Sequence, residues 1–303
     1  MPLVVAVVGD ALLDVMLEPA ERIRPGGDVP AAVRVGPGGQ GANVAVRLAR
    51  RGATARLGCA LGDDVAGRLV REALEADGVR VDSSSAPATG AVAILLGPAG
   101  ERSMLSQRVP VLPGIDLPRL VDGAAWLVIS GYALLDEGAA EFAARCAALP
   151  VRRAVLGCAI PDGRLGDWRA AATGAHADLV ILNVDEARAL APPEADDVAA
   201  LAAALAPELG AVVIVTGPRG ASAAGHGLRI TLAPATDTTG AVDTTGAGDA
   251  FAASVVAGLG DVWPADEGAL RAAISDGLSM ASQVVRVAGA QGRVATERAV
   301  TSR

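Results

Sequence analysis

The chain has 303 residues, 51% of them apolar, enough to bury a large core in one α/β domain with a small appendage. A net charge of −8 and an isoelectric point near 4.9 speak against a nucleic acid partner, because a phosphate polymer would be repelled by most of the surface. All 26 basic residues are arginine, so the chemistries that need a lysine are excluded: the Walker-type P-loop, the protein-kinase site and the Schiff base.

In chain order, Leu3 to Val8 lacks a basic leader and meets Gly9-Asp10, so it reads as a first buried strand rather than a signal peptide. Val29 to Val35 is a second β-rich segment. Helical spacing over Ala42 to Arg51 and Ala66 to Asp77 brackets a strand at Ala55 to Ala60. Ala91 to Leu96 and Glu101 to Ser106 flank the turn Gly97-Pro98-Ala99-Gly100 as a hairpin, which is marginal by itself in water and is expected to pair with Val29 to Val35. Strands at Trp126 to Ile129, Ala154 to Leu156, Leu179 to Leu182 and Val212 to Thr216 then alternate with helical stretches at Asp136 to Leu149 and Val198 to Leu209. The alternation predicts a largely parallel sheet with helices on both faces and ligands at the carboxyl ends of the strands. No stretch approaches the roughly 18 apolar residues of a membrane span. Cys59, Cys146 and Cys158 are odd in number and widely spaced, as buried free thiols are. The whole agrees with a soluble cytoplasmic enzyme.

Two glycine-rich stretches carry chemistry. Asp243-Thr244-Thr245-Gly246-Ala247-Gly248-Asp249 precedes the apolar, helix-compatible run from Ala250, so the N–H groups of Gly246, Ala247 and Gly248 point forward as unpaired donors for an anion. Asp249 would repel that anion unless it has work to do, and the natural work is taking a proton from a nucleophilic hydroxyl. Alone, the same residues also describe a capped helix with a carboxylate on its positive end. The other stretch is Gly38-Gly39-Gln40-Gly41-Ala42-Asn43-Val44-Ala45, followed by Arg47 to Ala53, Gly58 and Gly62.

Taken together, these stretches resemble the two signatures of the ribokinase-like, PfkB-type carbohydrate kinase family. The second departs from it only at Ser254, where a small Ala or Gly is usual. The resemblance covers essentially the whole chain and implies a ribokinase-like three-layer α/β/α sandwich with a mostly parallel central sheet. It implies a single domain over 1–303 with a small β-sheet lid from about 15–36 and 90–108, which closes over the sugar and supplies a homodimer contact. It also implies transfer of the γ-phosphoryl group of ATP to a sugar hydroxyl, with Asp249 as general base and the Gly246, Ala247 and Gly248 amides on the phosphoryl oxygens. Asp14, Gly38, Gly39 and Asn43 look like the sugar-binding set, since a carboxylate accepts from two adjacent hydroxyls and an amide both donates and accepts. Leu12 stands where ribokinase itself carries a polar residue, which points away from ribose.

Asn183-Val184-Asp185-Glu186 is a helix capping box and also matches the family's Asn-x-x-Glu motif, in which Glu186 would help to organise Mg2+, through water, beside the nucleotide. Thr216-Gly217-Pro218-Arg219-Gly220 resembles the nucleotide loop and assigns Thr216, Gly217 and Gly220, with Asn183 and Gly248, to ATP; the adenine pocket is expected to continue near Ala273 to Gly277. Asp243 and Thr245 fall where family members hold a monovalent cation such as K+. Arg102 and Arg108, on or beyond the hairpin, could meet a carboxylate or phosphate, and Arg108 joins the substrate set. That leaves 2-keto-3-deoxygluconate and sugar phosphates open beside the leading class, a neutral ketose or aldose such as fructose. Few aromatic residues are available for a nucleobase, which disfavours an adenosine- or pseudouridine-type kinase. A non-catalytic sugar-binding relative is the alternative of another class.

Overall fold

The computed structural model describes residues 2–97, 102–235, 245–263, 266–286 and 289–292. Its strands are β1 (Val4–Val8), β2 (Leu12–Pro19), β3 (Ala31–Gly38), β4 (Thr54–Gly62), β5 (Arg80–Ala86), β6 (Ala91–Leu96), β7 (Arg102–Gln107), β8 (Trp126–Ile129), β9 (Arg152–Leu156), β10 (Leu179–Asn183), β11 (Val212–Gly217), β12 (Gly220–Gly225) and β13 (Leu228–Leu232). The helices are α1 (Gln40–Arg50), α2 (Val65–Ala76), α3 (Leu117–Val121), α4 (Ala139–Ala147), α5 (Leu165–Gly174), α6 (Val184–Leu190), α7 (Val198–Leu209), α8 (Ala247–Leu259) and α9 (Glu267–Val284).

A nine-stranded sheet runs β13-β12-β11-β10-β9-β8-β1-β4-β5. It is parallel from β5 through β11, and β12 and β13 extend it antiparallel. The inner strands are buried on both faces, so β1, β8, β10 and β11 read as nearly continuous apolar runs. Val5, Val7, Leu179, Ile181, Val212 and Ile214 pack with α1, α2, α8 and α9. The alternate residues Ala6, Val8, Val180, Leu182, Val213 and Val215 pack with α3 to α7. The two periods, two along a strand and 3.6 around a helix, thus build the three layers. Chain order reverses on either side of β1, which lies between β4 and β8, and this switch point opens a crevice at the carboxyl ends of the strands.

A separate four-stranded sheet runs β3-β2-β6-β7. Here the pairing corrects an expectation: the β6–β7 hairpin does not meet the segment around Val29 to Val35 directly. That segment, as β3, pairs with one edge of β2, and β6 pairs in parallel with the other. Between them lies β2, whose Asp14 and Glu18 interrupt an otherwise apolar run. Asp14 sits within β2, opposite Gly36 and Val92. Leu12, Val92 and Ile94 form the small core under this sheet, whereas Val33, Val35, Met104 and Leu105 remain exposed.

The helix expected over Asp136 to Leu149 begins only at Ala139, because Gly138 at φ 82° breaks it from the 3-10 turn Ala133–Leu135. The hairpin of β12 and β13 was unforeseen, since Gly220 to Gly225 contains only Gly, Ala and Ser. Cys59, Cys146 and Cys158 are buried free thiols, each pushed up to about 12 by burial.

Candidate active site

Four strand ends converge on the crevice. Asp10 follows β1, Ser130 follows β8, Gly157 follows β9 and Asn183 closes β10. Gln40, on the first turn of α1, ties two of them together: its Nε2 donates to the Gly157 carbonyl at 2.8 Å, while its Oε1 accepts from Ser130 Oγ at 2.7 Å and Gly131 N at 3.1 Å. The helix can approach so closely because of glycine. Gly39 has φ 95°, and a Cβ there would strike the Asp10 carbonyl, while one at Gly41 would strike the backbone of Gly9.

The helix α8 starts differently from α2, α6, α7 and α9, whose N-caps Asp64, Asn183, Asp197 and Asp266 accept from first-turn amides. Gly246 caps α8 at φ 76° with no side-chain hydrogen bond, and the first helical bond runs from Ala250 N to Gly246 O. The amides of Ala247, Gly248 and Asp249 thus have no intrahelical acceptor and present a site for an anion. Beside them a cleft of about 320 Å³ is walled by Gln40, Glu186, Thr216, Thr245 and Asp249. A smaller cavity of about 160 Å³ lies under the four-stranded sheet, walled by Asp14, Met16, Arg34, Thr245 and Gln291. Thr245 borders both.

Asp249 is half-buried on the first turn of α8. Asn43, 5% exposed on α1, donates from Nδ2 to Asp249 Oδ2 at 2.8 Å. Burial lifts the Asp249 carboxyl from its ordinary 3.8 to about 7; the Asn43 bond and the Arg47 charge pull it down, and Asp10 and Glu186 push it up. Such a group can take or give a proton at neutral pH.

Asp14 packs against Gly38, where a Cβ would fall inside its carboxyl group. On the other side of the crevice, Asn183 and Glu186 form the full capping box: Asn183 Oδ1 accepts from Asp185 N and Glu186 N, both at 2.9 Å, and Glu186 Oε2 accepts from Asn183 N at 2.8 Å. Glu186 also lies over Gly157, where a Cβ would overlap Oε2. Burial raises its pKa, opposed by the Asn183 amide and helped by Asp185. One carboxylate at a helix start, lining that cleft, fits Mg2+, which takes one or two carboxylates and keeps water on its other positions.

The crevice brings together Asp249, Gly246, Gly248, Asn183, Glu186, Thr216 and Thr245, with Asp14 in the adjoining cavity. Gly217 and Gly220 face each other across the Pro218-Arg219 turn between β11 and β12, and Gly220 at φ 114° leaves no room for a side chain against the Leu232 carbonyl. The buried residues of Ala273 to Gly277 pack on α8, with Phe251 filling the space above Gly277. Arg108 is ion-paired with buried Asp10, and its guanidinium lies 3.5 Å from the centroid of the Tyr132 ring. Asp243 lies outside the described residues, as does most of the Gly97 to Gly100 turn.

Sequence reasoning missed Gln40, Asp10, Tyr132, Arg47 and Gln291. Gln40 and Arg47 lie within the first glycine-rich stretch and Asp10 directly follows the first strand, but none of the five shows its role locally, since their partners are distant in the chain; Gln291 meets Asn43 across 248 residues.

Comparisons with known proteins agree with this fold. The chain is similar in structure to ribokinase from Thermotoga maritima, with TM-score 0.76, 24% identity and coverage of 96% of this chain and 95% of that one. Ribokinase from Cryptococcus neoformans var. grubii serotype A, solved in complex with ADP, gives TM-score 0.74 at 24% identity over 95% and 96%. Adenosine kinase from Sinorhizobium meliloti gives TM-score 0.75 at 21% identity over 95% of each. No curated protein matches the sequence. The family model described as pfkB family carbohydrate kinase matches residues 3–297, and the chain belongs to that family.

Proposed function

We propose that this kinase transfers the γ-phosphoryl group of ATP to a hydroxyl of a neutral ketose or aldose, fructose or a related sugar, with Asp249 as general base. One observation carries the reading: a carboxyl with a pKa near 7 stands beside helix amides that have no acceptor within their own helix, next to Thr245, which borders both cavities. The cleft would take the triphosphate and the smaller cavity the sugar. Attack of the sugar oxygen on the γ-phosphorus forms the new O–P bond and breaks the bond to the β-phosphate oxygen, which leaves with ADP. The hydroxyl proton passes to an Asp249 carboxyl oxygen. The amides of Gly246, Ala247 and Gly248 would hold the transferring oxygens, donors already oriented before charge develops on them.

Asp14 would accept from two sugar hydroxyls, with Gly38 and Gly39 leaving room for that carboxylate and for α1. Asn43 would bridge sugar and base. Thr216, Gly217, Gly220 and Asn183 would border the nucleotide. Glu186, with Asn183 beside it, would hold Mg2+ through water, and the ion would supply neutralising charge at the β- and γ-phosphates. ADP bound in the Cryptococcus ribokinase supports ATP as donor.

The arginines favour a neutral acceptor. Arg108 is already paired with Asp10, and Arg34 with Glu18 at 3.1 Å, so an anionic sugar would have to displace a carboxylate from either. The smaller cavity also lacks an aromatic wall among the described residues, which favours a sugar over a nucleoside. The exposed Val33, Val35, Met104 and Leu105 support a homodimer through the small sheet acting as a lid. The test is ADP release from ATP and Mg2+ across ketoses, aldoses, sugar acids, sugar phosphates and nucleosides. Turnover on a neutral sugar supports the reading; turnover on nucleosides or sugar acids alone, or sugar binding with no turnover on any acceptor, overturns it.

A further inference from the structure

We propose that Gln291 is a positioning residue that sets the direction of the Asn43 amide toward Asp249. An asparagine side chain has a donor end and an acceptor end of nearly the same shape, and an ionised carboxylate can use only the donor. Gln291 Nε2 donates to Asn43 Oδ1 at 3.0 Å, which occupies the acceptor end and leaves Nδ2 to reach Asp249 Oδ2 at 2.8 Å. With the amide turned over, Oδ1 would face the carboxylate and the hydrogen bond would become a repulsion.

Gln291 is itself held in place by the helix that carries Asn43. Arg50 Nη1 donates to the Gln291 carbonyl at 2.7 Å, and Arg47 Nη2 to the Ala290 carbonyl at 2.7 Å. These arginines are 5% and 1% exposed, and Arg50 is anchored in turn on Asp77 at 2.8 Å. Arg47 and Arg50 follow Asn43 by four and seven residues, the spacing that keeps side chains on one face of a helix. One face of α1 therefore presents the amide and the two cations that grip its orienting partner. Gly246, at the start of α8, packs against Ala290 and leaves no space for a Cβ, so the same short segment also abuts the turn that leads to Asp249.

The inference rests on Asp249 as general base, and a set of variants separates the two. Steady-state kcat and KM are measured for Gln291→Met, Asn43→Ala, the double variant and Asp249→Asn. Gln291→Met is expected to lower kcat about 10-fold, the worth of one hydrogen bond, with KM for ATP unchanged. On the Asn43→Ala background it is expected to cost nothing further. Native kcat in Gln291→Met, or its full loss repeated on the Asn43→Ala background, overturns the positioning role while kcat in Asp249→Asn stays far below native. Retained kcat in Asp249→Asn overturns the base assignment and this inference with it. Gln291→Glu keeps the shape and loses the donor, so it decides the matter if the Met variant does not fold: reduced kcat at native KM for ATP supports the role, and native kcat overturns it.

Discussion

Replacing Asp249 by asparagine separates the cost of keeping a carboxylate in the crevice from the work that carboxylate does. The side chain has a pKa of about 7 in the fold against 3.8 ordinarily, chiefly through burial. The folded chain thus binds this proton more tightly than the unfolded chain does. The associated stability is fully present below pH 3.8 and is lost as pH rises through about 7. At ~1.36 kcal/mol per pK unit, the ionised form costs about 4 kcal/mol above that range, and water entering the open cleft brings this to ~2–4 kcal/mol. Asparagine has the same shape, can still accept from Asn43 Nδ2, and never ionises. Asp249→Asn is therefore expected to be more stable than the native protein by ~2–4 kcal/mol at pH 8 and by under about 1 kcal/mol at pH 4. Urea unfolding at both pH values measures this from the midpoints at unchanged m. A stability difference equal at the two pH values, or a native protein more stable at pH 8, would refute the reasoning.

Three further substitutions probe the surroundings. Gly38→Ala puts a methyl group into the Asp14 carboxyl, so KM for the sugar is expected to rise about 10-fold or more while KM for ATP holds; equal changes in both would count against Asp14 as a sugar ligand. Gly157→Ala displaces Glu186 from its place over β9, and the Mg2+ concentration for half-maximal rate is expected to rise about 10-fold, whereas an unchanged Mg2+ dependence would separate Glu186 from the metal. Ser254 is fully buried and its hydroxyl has no hydrogen-bond partner among the described residues, so Ser254→Ala is expected to raise stability by about 1 kcal/mol in urea unfolding without changing kcat; a loss of stability would show that the hydroxyl is satisfied.

What could be read from the residues depended on whether the information is local. The parallel strands announce themselves because both faces are buried, so Val4–Val8, Leu179–Asn183 and Val212–Gly217 are nearly unbroken apolar runs. Turn chemistry is local as well, and the start of α8 was legible from Gly246, Gly248 and Asp249. The strand Leu12–Pro19 was harder, because a carboxylate aimed at a cavity looks the same in sequence as one in a loop. The hairpin after Thr216 was hidden because its first strand, Gly220–Gly225, has no β-branched residue, its place at the sheet edge being set by tertiary pairing. Contacts between distant residues left no trace at all. Arg108 with Asp10, Gln40 with Gly157, and Gln291 with Asn43 are each joined across 98 residues or more, and only the fold reveals them.

The central claim is that Asp249 takes the proton from the attacking hydroxyl. The most direct measurement is kcat for native protein and Asp249→Asn with the best acceptor, at saturating ATP and Mg2+ and at pH 8, where the native carboxyl is ionised. The account predicts a fall in kcat of roughly 10²- to 10⁴-fold with KM values little changed. A variant that keeps its kcat while KM for the sugar alone rises would make Asp249 a binding residue and contradict the mechanism.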